Sequence, residues 1–211
     1  MMGGMENVES RSWAVRESYS ARSREYSDLF GSVTSAHPSD RALIASWAET
    51  VAGPVLDAGC GPGQWTSFLA ERGLPVSGVD LVPEFVERAR AQHPGLSFEV
   101  GSYEALDTPP GTLGGVLSWY SLIHHSPKDI GTPLAEFARV IRSGGGLLVG
   151  FFEGPTVEAF DHAVSTAYRW PVVALAQELV DAGFEIVETH TRSGSGYRPH
   201  GAIAAVRRHT P

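Results

Sequence analysis

The stretch VLDAGCGPGQWT, residues 55–66, constrains the fold of this chain more than any other. An apolar run leads into an acid at Asp57, glycines follow at positions 59, 61 and 63, and a helical pattern begins directly afterwards. Glycine accepts positive φ angles and lets a ligand approach the backbone closely. A buried strand, a glycine-rich turn and a helix in this order predict a ligand-binding loop at the carboxyl end of a strand.

Strand and helix patterns alternate along the rest of the chain. We predict strands at 55–57, 76–80, 96–100, 116–119, 147–152, 184–190 and 201–206, and helices at 38–51, 64–72, 83–92, 133–141 and 172–182. This alternation predicts an α/β fold: a Rossmann-like, seven-stranded, mostly parallel sheet with helices on both faces, an αβα sandwich. The turn before the last strand is too short for a crossover, so that strand is expected to run antiparallel.

Domain organisation follows from the same patterns. Residues 1–52 are predicted to form an N-terminal helical cap or lid, with a loose helix at 13–30 and a clear one at 38–51 whose N-cap is Ser39 or Asp40. Residues 53–211 form the sheet domain, in which about 153–171 are an insertion.

Composition limits the partners and the compartment. The formal net charge is -8, with 16 Lys and Arg against 24 Asp and Glu, which argues against nucleic acid as a partner. One cysteine cannot form an internal disulfide, and neither a secretion signal nor an apolar run of membrane length is visible. We expect a soluble, cytoplasmic protein without membrane contact, as a monomer or a homodimer.

Three interpretations compete for the glycine loop: a nucleotide-type cofactor site, a nucleophilic Cys60, or a structural turn. The dinucleotide fingerprint G-x-G-x-x-G would need a glycine at position 64, where the chain has Gln64. Asp57 would repel a pyrophosphate and attract an ammonium group. A thiol before a helix can be activated, but a small buried cysteine is more often structural, so Cys60 is expected to be a bystander.

The order of motifs resembles the class I S-adenosylmethionine-dependent methyltransferases, in particular their small-molecule, ubiquinone-biosynthesis-like branch. The resemblance rests on VLDAGCGPGQWT, VSGVDLVPEFVERAR, FEVGSYEAL, GGVLSWYSLIHH, LAEFARVIRSGGGLLV and LAQELVDAGFEI, and covers roughly residues 15–207 in order. It implies that S-adenosylmethionine is the cofactor, that S-adenosylhomocysteine is its product, and that a small molecule is the methyl acceptor.

Carried onto this chain, the resemblance implies a set of cofactor contacts. Asp57 and the backbone of the three loop glycines would hold the methionine part, Asp80 both ribose hydroxyls, and Ser102 and Tyr103 the edge of the adenine. Many relatives have an acid at position 102, so recognition there is expected to be weaker. The full implied set is Tyr19, Arg24, Asp57, Gly59, Gly61, Gly63, Trp65, Asp80, Leu81, Gly101, Ser102, Tyr103 and Trp119.

Two of these residues belong to ESYSARSREY, residues 17–26, which is similar to the family's N-terminal lid segment. Tyr19 would donate to the cofactor carboxylate and Arg24 would pair with it, while Tyr26 is a further lid tyrosine. The alternative is an ordinary surface helix with aromatic packing.

The acceptor side is expected around SWYSLIHH, residues 118–125. This stretch lacks the [D/N/S]-P-P-[Y/F/W] pattern of amino-group methyltransferases, and no Asp and Asn cluster indicates magnesium, so no metal is expected. His124 is the candidate general base, with Tyr120 as its orienting hydroxyl; alternatively, one histidine of the pair at 124 and 125 only packs against the loop. The acceptor pocket is further expected to use His162, Tyr168, Trp170, Tyr197, Arg198 and His200.

Two other functions stay open at this point. One is an NAD-dependent oxidoreductase, which the missing glycine at position 64 disfavours. The other is a protein that binds S-adenosylmethionine for regulation or for a reaction other than methyl transfer.

Overall fold

The computed structural model describes residues 16–25 and 31–209. Of the helix predicted at 13–30, positions 16–20 and 23–25 are helical, whereas Trp13, Tyr26 and Phe30 lie outside the described residues. Most of the other predicted elements are present with bounds shifted by a few residues.

The helices are α1 (Pro38–Thr50), α2 (Gln64–Ala70), α3 (Pro83–Gln92), α4 (Gly131–Val140) and α5 (Val172–Asp181). The strands are β1 (Val55–Ala58), β2 (Val76–Asp80), β3 (Ser97–Val100), β4 (Leu113–Trp119), β5 (Ile141–Glu153), β6 (Glu158–Phe160), β7 (Ala167–Trp170), β8 (Phe184–Gly194) and β9 (Tyr197–Arg207). Short 3-10 turns cover Val33–Ser35 and Leu122–His124.

The strands form one mixed sheet whose central order is β3-β2-β1-β4-β5-β9-β8. β9 runs antiparallel to both β5 and β8, while the pairs from β3 to β5 are parallel. The α/β class and the antiparallel last strand are therefore confirmed. Within the described residues, however, the sheet has nine strands where seven were predicted.

The two additional strands lie in the insertion. β6 and β7 pair antiparallel with each other, and β7 extends the sheet beside Phe152 and Glu153 at the end of β5. These strands have only three and four residues, too short to show a strand period in sequence. The hairpin brings the insertion to the carboxyl edge of the sheet.

The sheet is buried on both faces, as its apolar central strands require. One face packs against α4 and α5 around Phe137, Leu147 and Leu179, and the other packs against α1 and α2 around Trp47 and Leu148. Both layers leave the carboxyl ends of β1, β2 and β4 open, which is where the candidate residues converge.

The N-cap predicted for α1 is wrong. The helix begins at Pro38, and the Nδ1 atom of His37, the actual N-cap residue, accepts a hydrogen bond of 3.2 Å from the Ser39 amide. Proline favours the first helical position because it has no amide hydrogen to satisfy there. In the described part of the chain, no helix has the length and apolar character to cross a bilayer.

Candidate functional site

Backbone hydrogen bonds hold the glycine loop against β2. The amides of Gly59 and Cys60 donate to the carbonyl of Val79 at 2.8 and 3.0 Å. Gly59 has a φ of +79°, and a Cβ at this position would lie 2.3 Å from the Cβ of Ser121. Gly61 also has a positive φ, +54°, but a Cβ there would meet nothing within 4 Å. The first glycine therefore permits close packing, and the second leaves the ligand space open.

Asp80 ends β2 directly beneath the loop. Its Oδ2 accepts from the amide of Gly61 at 2.8 Å, and its Oδ1 accepts from the amide of Val82 at 2.9 Å. Burial raises the pKa of this carboxyl to about 6, although the two backbone hydrogen bonds act in the opposite direction. Because a carboxylate oxygen accepts more than one hydrogen bond, Asp80 can still bind a pair of ligand hydroxyls.

Asp57 lies below the loop and does not reach the cavity wall. Its side chain is 1% exposed, and its Oδ2 accepts a 2.7 Å hydrogen bond from the hydroxyl of Thr66. Burial raises the pKa of Asp57 to about 7, and the nearby charge of Asp80 adds to this effect. Two buried carboxyls side by side make the loop receptive to a cation, since a positive ligand would relieve their repulsion.

A cavity opens over these carboxyl ends and encloses about 750 Å³ of empty space, part of it open to solvent. The residues on its wall come from the loop, from the ends of β2, β3 and β4, and from the N-terminal segment. They are Tyr19, Gly59, Gly61, Asp80, Leu81, Val82, Phe85, Ser102, Tyr103, Glu104, Trp119, Tyr120, Ser121, His124 and His125.

The predicted adenine edge is on this wall. The hydroxyl of Tyr103 donates to the carbonyl of Ser121 at 2.7 Å, and the hydroxyl of Ser102 accepts from the amide of Glu104 at 3.1 Å. Val82 and Phe85 contribute an apolar surface next to Asp80. A polar rim beside an apolar floor suits a planar heterocycle joined to a polar sugar.

Five predicted cofactor residues are not on the wall: Asp57, Gly63, Trp65, Gly101 and Arg24. Gly63, the N-cap residue of α2, has a φ of +88°. Trp65 is buried and packs edge-on against Trp119, with the ring centroids 6.1 Å apart. The amide of Gly101 donates to the carbonyl of Asp80 at 2.9 Å. Arg24 is exposed. Gly63, Trp65 and Gly101 thus support residues that do line the cavity.

Cys60 is buried in a small cluster with Val86, Ala89 and Phe98. Burial raises the pKa of its thiol, and the charges of Asp80 and Asp57 raise it further. A thiol that stays protonated is a poor nucleophile, in agreement with the expected structural role.

His124 lies where the loop after β4 meets the insertion. Its Nδ1 is 2.8 Å from the carbonyl oxygen of Thr166, which can only accept, so Nδ1 carries the hydrogen. Its Nε2 then accepts from the hydroxyl of Tyr19 at 2.9 Å. Burial lowers the pKa of His124 to about 4, and the ring is therefore neutral at physiological pH. This tautomer presents an acceptor lone pair at Nε2, which Tyr19 occupies in the structure.

Tyr120 does not orient His124, contrary to the prediction. It has a φ of +59°, and its hydroxyl bonds to Nδ1 of His200. Burial raises the pKa of Tyr120, so the phenol stays protonated. The left-handed backbone turns the side chain towards β9, and Tyr19, 105 residues away in sequence, bonds to His124 instead.

His125, the second histidine of the pair, is 5% exposed. Its Nε2 lies 2.7 Å from Oε1 of Glu104, and its Nδ1 is buried without a hydrogen-bond partner in the structure. His125 therefore pairs with Glu104 on the cavity wall, whereas His124 contacts the insertion through Thr166.

The other expected acceptor residues divide into two groups. Trp170 is 3% exposed and belongs with Tyr168 to the apolar core on the α4 and α5 face. His162 and His200 lie at the carboxyl edge, where burial lowers the pKa of both rings, that of His200 to about 4. Tyr197 and Arg198 are exposed beside them.

Several wall residues were missed by sequence reasoning: Val82, Phe85, Glu104 and Ser121. Val82 and Phe85 follow Asp80 at the start of an amphipathic helix, a position that could have identified them. Glu104 and Ser121 have no comparable signal, because their places depend on how distant loops fold together. In the described part of the chain, no three His, Cys, Asp or Glu side chains cluster as metal ligands.

Comparison with known proteins agrees with this geometry. Residues 55–145 match a family described as "Methyltransferase domain". The chain is 30% identical over 105 residues to a malonyl-[acyl-carrier protein] O-methyltransferase of Pseudescherichia vulneris, an alignment that spans 50% of this chain and 41% of that enzyme. The chain thus covers less than half of this curated relative.

Solved structures share the fold over nearly the whole chain. A 1,6-didemethyltoxoflavin-N1-methyltransferase of Burkholderia thailandensis, with bound 1,6-didemethyltoxoflavin and S-adenosylhomocysteine, superposes with a TM-score of 0.80, 22% identity, and coverage of 99% of this chain and 92% of that one. A magnesium protoporphyrin IX methyltransferase of Synechocystis PCC 6803 with bound SAM gives 0.73 at 20% identity, over 93% of this chain and 97% of that one. These likenesses establish the fold.

Proposed function

We propose that this chain is a class I S-adenosylmethionine-dependent methyltransferase and that it transfers a methyl group from S-adenosylmethionine to a small organic acceptor. One observation carries the proposal: the glycine loop, Asp80 and His124 converge on a single cavity at the carboxyl edge of the sheet. The cavity therefore places the site for the methyl donor next to the neutral imidazole of His124.

The residues present fit this cofactor. Gly61 leaves space where a side chain would intrude, and Asp80 offers both carboxylate oxygens from the wall. Tyr103, Val82 and Phe85 would take the adenine side. The buried acids favour a ligand that carries ammonium and sulfonium charges over the pyrophosphate of NAD. Asp57 would act on the ammonium through the loop, since its carboxylate is below the wall.

When bound, S-adenosylmethionine supplies an electrophilic methyl group for in-line displacement. The protein contributes alignment and a site that excludes water. His124 holds an acceptor lone pair at Nε2, and Thr166 fixes this tautomer through Nδ1. An acceptor hydroxyl or acidic carbon that displaces the hydroxyl of Tyr19 would give its proton to Nε2. Tyr19 would then be released towards the cofactor side.

Assembly and location are part of the proposal. The net charge of -8 supports a small-molecule acceptor rather than nucleic acid, and the single cysteine is compatible with a reducing cytoplasm. The enzyme is proposed to work without a metal, away from membranes, as a monomer or homodimer.

Transfer of labelled methyl groups from S-adenosylmethionine to a library of phenols, carboxylic acids and acidic carbon compounds tests the function. For an accepted compound, His124→Gln should lower kcat by about 100-fold or more, since loss of a general base typically costs this much. His93→Gln, a histidine at the end of α3, is the control and should retain full activity.

The outcomes separate the alternatives. Binding of S-adenosylhomocysteine without turnover of any compound would favour a cofactor-binding protein with another role. Binding of NAD in place of S-adenosylhomocysteine would favour the oxidoreductase. Full activity of His124→Gln would remove the base from the mechanism and leave transfer by alignment alone.

A further inference from the structure

Five ring side chains meet at the carboxyl edge beside the cofactor cavity, and we call them the ring cluster: Tyr120, Phe152, Phe160, His162 and His200. Phe152 is at the centre, with ring centroids 5.2 Å from Tyr120, 5.4 Å from Phe160, and 5.8 Å from both His162 and His200. They come from the loop after β4, from β5, from the insertion and from β9. Such a convergence of separate elements forms a surface on which a flat ring can stack.

The ring cluster adjoins the place where transfer is proposed. Tyr120 is also on the wall of the cofactor cavity, and the ring of His162 lies 5.7 Å from that of His124. A ligand on the cluster would therefore have one edge at His124. The cluster is half-buried, with Phe152 and Phe160 partly open to solvent.

Arg198 extends over this surface from β9. Its guanidinium carbon is 5.0 Å from the ring centroid of Phe160 and 5.9 Å from that of Phe152. Its positive charge, after burial, lowers the pKa of His162. The neighbouring arginines differ: Arg169 lies 3.3 Å from Glu158, and Arg192 lies 2.9 Å from Asp40. Arg198 makes no salt bridge with any carboxylate in the part of the chain that the structure describes.

We propose that the methyl acceptor is a planar aromatic compound with an anionic group, stacked on the ring cluster and bound through that group to Arg198. An arginine that lies over aromatic rings and has no carboxylate partner can bind a carboxylate, sulfonate or phosphate through two parallel hydrogen bonds. A cationic acceptor would be repelled by the same charge. This inference rests on the proposed function and adds the class of substrate.

Paired fluorescent probes test the charge preference directly. The anionic probe is 8-anilinonaphthalene-1-sulfonate, and its uncharged counterpart is N-phenyl-1-naphthylamine, which has the same rings without the sulfonate. Both are titrated into protein saturated with S-adenosylhomocysteine. Arg198→Gln should weaken the anionic probe about tenfold, because a charge-assisted contact is lost, and change the uncharged probe by less than about twofold.

Arg72→Gln is the matched control. Arg72 is also an exposed arginine stacked on a phenylalanine, 3.4 Å above the ring of Phe68, but it lies at the end of α2 away from the carboxyl edge. It should change neither probe. Equal effects of Arg72→Gln and Arg198→Gln on the sulfonate probe would overturn the proposal, as would equal weakening of both probes by Arg198→Gln.

A second variant tests the rings. Phe152→Leu keeps an apolar side chain but removes the stacking surface, and it should weaken both probes several-fold; unchanged binding of both would contradict the ring cluster as the site. Affinity for S-adenosylhomocysteine is measured in parallel and should be equal in all variants. If the unsubstituted protein did not bind S-adenosylhomocysteine, the proposed function would be wrong. The two probes would then be titrated in the absence of S-adenosylhomocysteine, and their response to Arg198→Gln would still test whether Arg198 binds an anionic group.

Discussion

The cofactor side and the acceptor side of the carboxyl edge are built differently. On the cofactor side, contacts join residues close in sequence: Thr66 with Asp57, nine positions apart, and Gly61 with Asp80, 19 apart. On the acceptor side, Tyr19 bonds to His124 across 105 positions, and Tyr120 to His200 across 80. The glycine loop and the acid of the donor site thus depend mainly on contacts between residues close in sequence, whereas the acceptor site depends on contacts between distant segments.

The pKa shifts of the buried groups on the two sides also have opposite signs. Burial raises the pKa of Asp57 to about 7 and that of Asp80 to about 6, and it lowers the pKa of His124 to about 4. In each case burial disfavours the charged form. Lowering the pH therefore neutralises the buried acids on the cofactor side, which favours the folded state, and protonates the buried His124 on the acceptor side, which disfavours it. Substitutions on the two sides should change stability with pH in opposite directions.

Gly59→Ala, on the cofactor side, should cause the largest loss in the free energy of unfolding. The added Cβ would lie 2.3 Å from Ser121 and would impose a φ of +79° on alanine. Backbone strain and overpacking together predict a loss of about 3 to 5 kcal/mol in the free energy of unfolding, measured by urea denaturation. Gly73→Ala, with a φ of +84° and nothing within 4 Å, isolates the strain and should cost about 1 to 2 kcal/mol. Equal losses would rule out the packing contribution.

Asp57→Asn should reveal the cost of the buried acid. The folded-state pKa of about 7 exceeds the ordinary value of 3.8, so the protein loses stability as pH rises through this window. The variant lacks that loss. Between pH 4.5 and pH 8, its stability relative to the unsubstituted protein should improve by about 2 to 4 kcal/mol in urea denaturation. A pH-independent difference would mean that Asp57 does not titrate in the folded state across this range.

His124→Gln should show the opposite pH dependence, with a smaller amplitude. The folded-state pKa of about 4 is below the ordinary value of 6.5, so stability is lost as pH falls from about 6.5 to 4. The variant escapes this loss, and its relative stability should improve by about 2 kcal/mol from pH 7 to pH 4. A constant difference across that range would contradict a neutral, buried imidazole.

The contrast between the two sides also explains what could be predicted from sequence. Asp80 came from the family resemblance, and the wall residues Gly59 and Gly61 were identified from the continuous pattern of strand and glycine loop in residues 55–63. Asp57 was identified in the same way, but whether a carboxylate faces a cavity or lies beneath a loop depends on tertiary packing, here on Thr66.

On the acceptor side the residue types were anticipated but their partners were not. His124 was expected to bond to Tyr120, only four positions away, but the left-handed φ of Tyr120 sends that hydroxyl to His200. The hairpin of β6 and β7 was missed because strands this short carry no period. Contacts between residues 80 or more positions apart leave no local signal in one sequence.

Calorimetric titration of S-adenosylhomocysteine into the unsubstituted protein and Asp80→Asn, with NAD as the competing ligand, tests the central claim most directly. We predict binding to the unsubstituted protein, affinity that falls about tenfold or more from pH 8 to pH 5 as Asp80 and Asp57 protonate, and weaker binding to Asp80→Asn that keeps only the smaller pH dependence due to Asp57. NAD should not bind. Equal affinity of both proteins for S-adenosylhomocysteine, or a preference for NAD, would contradict the account.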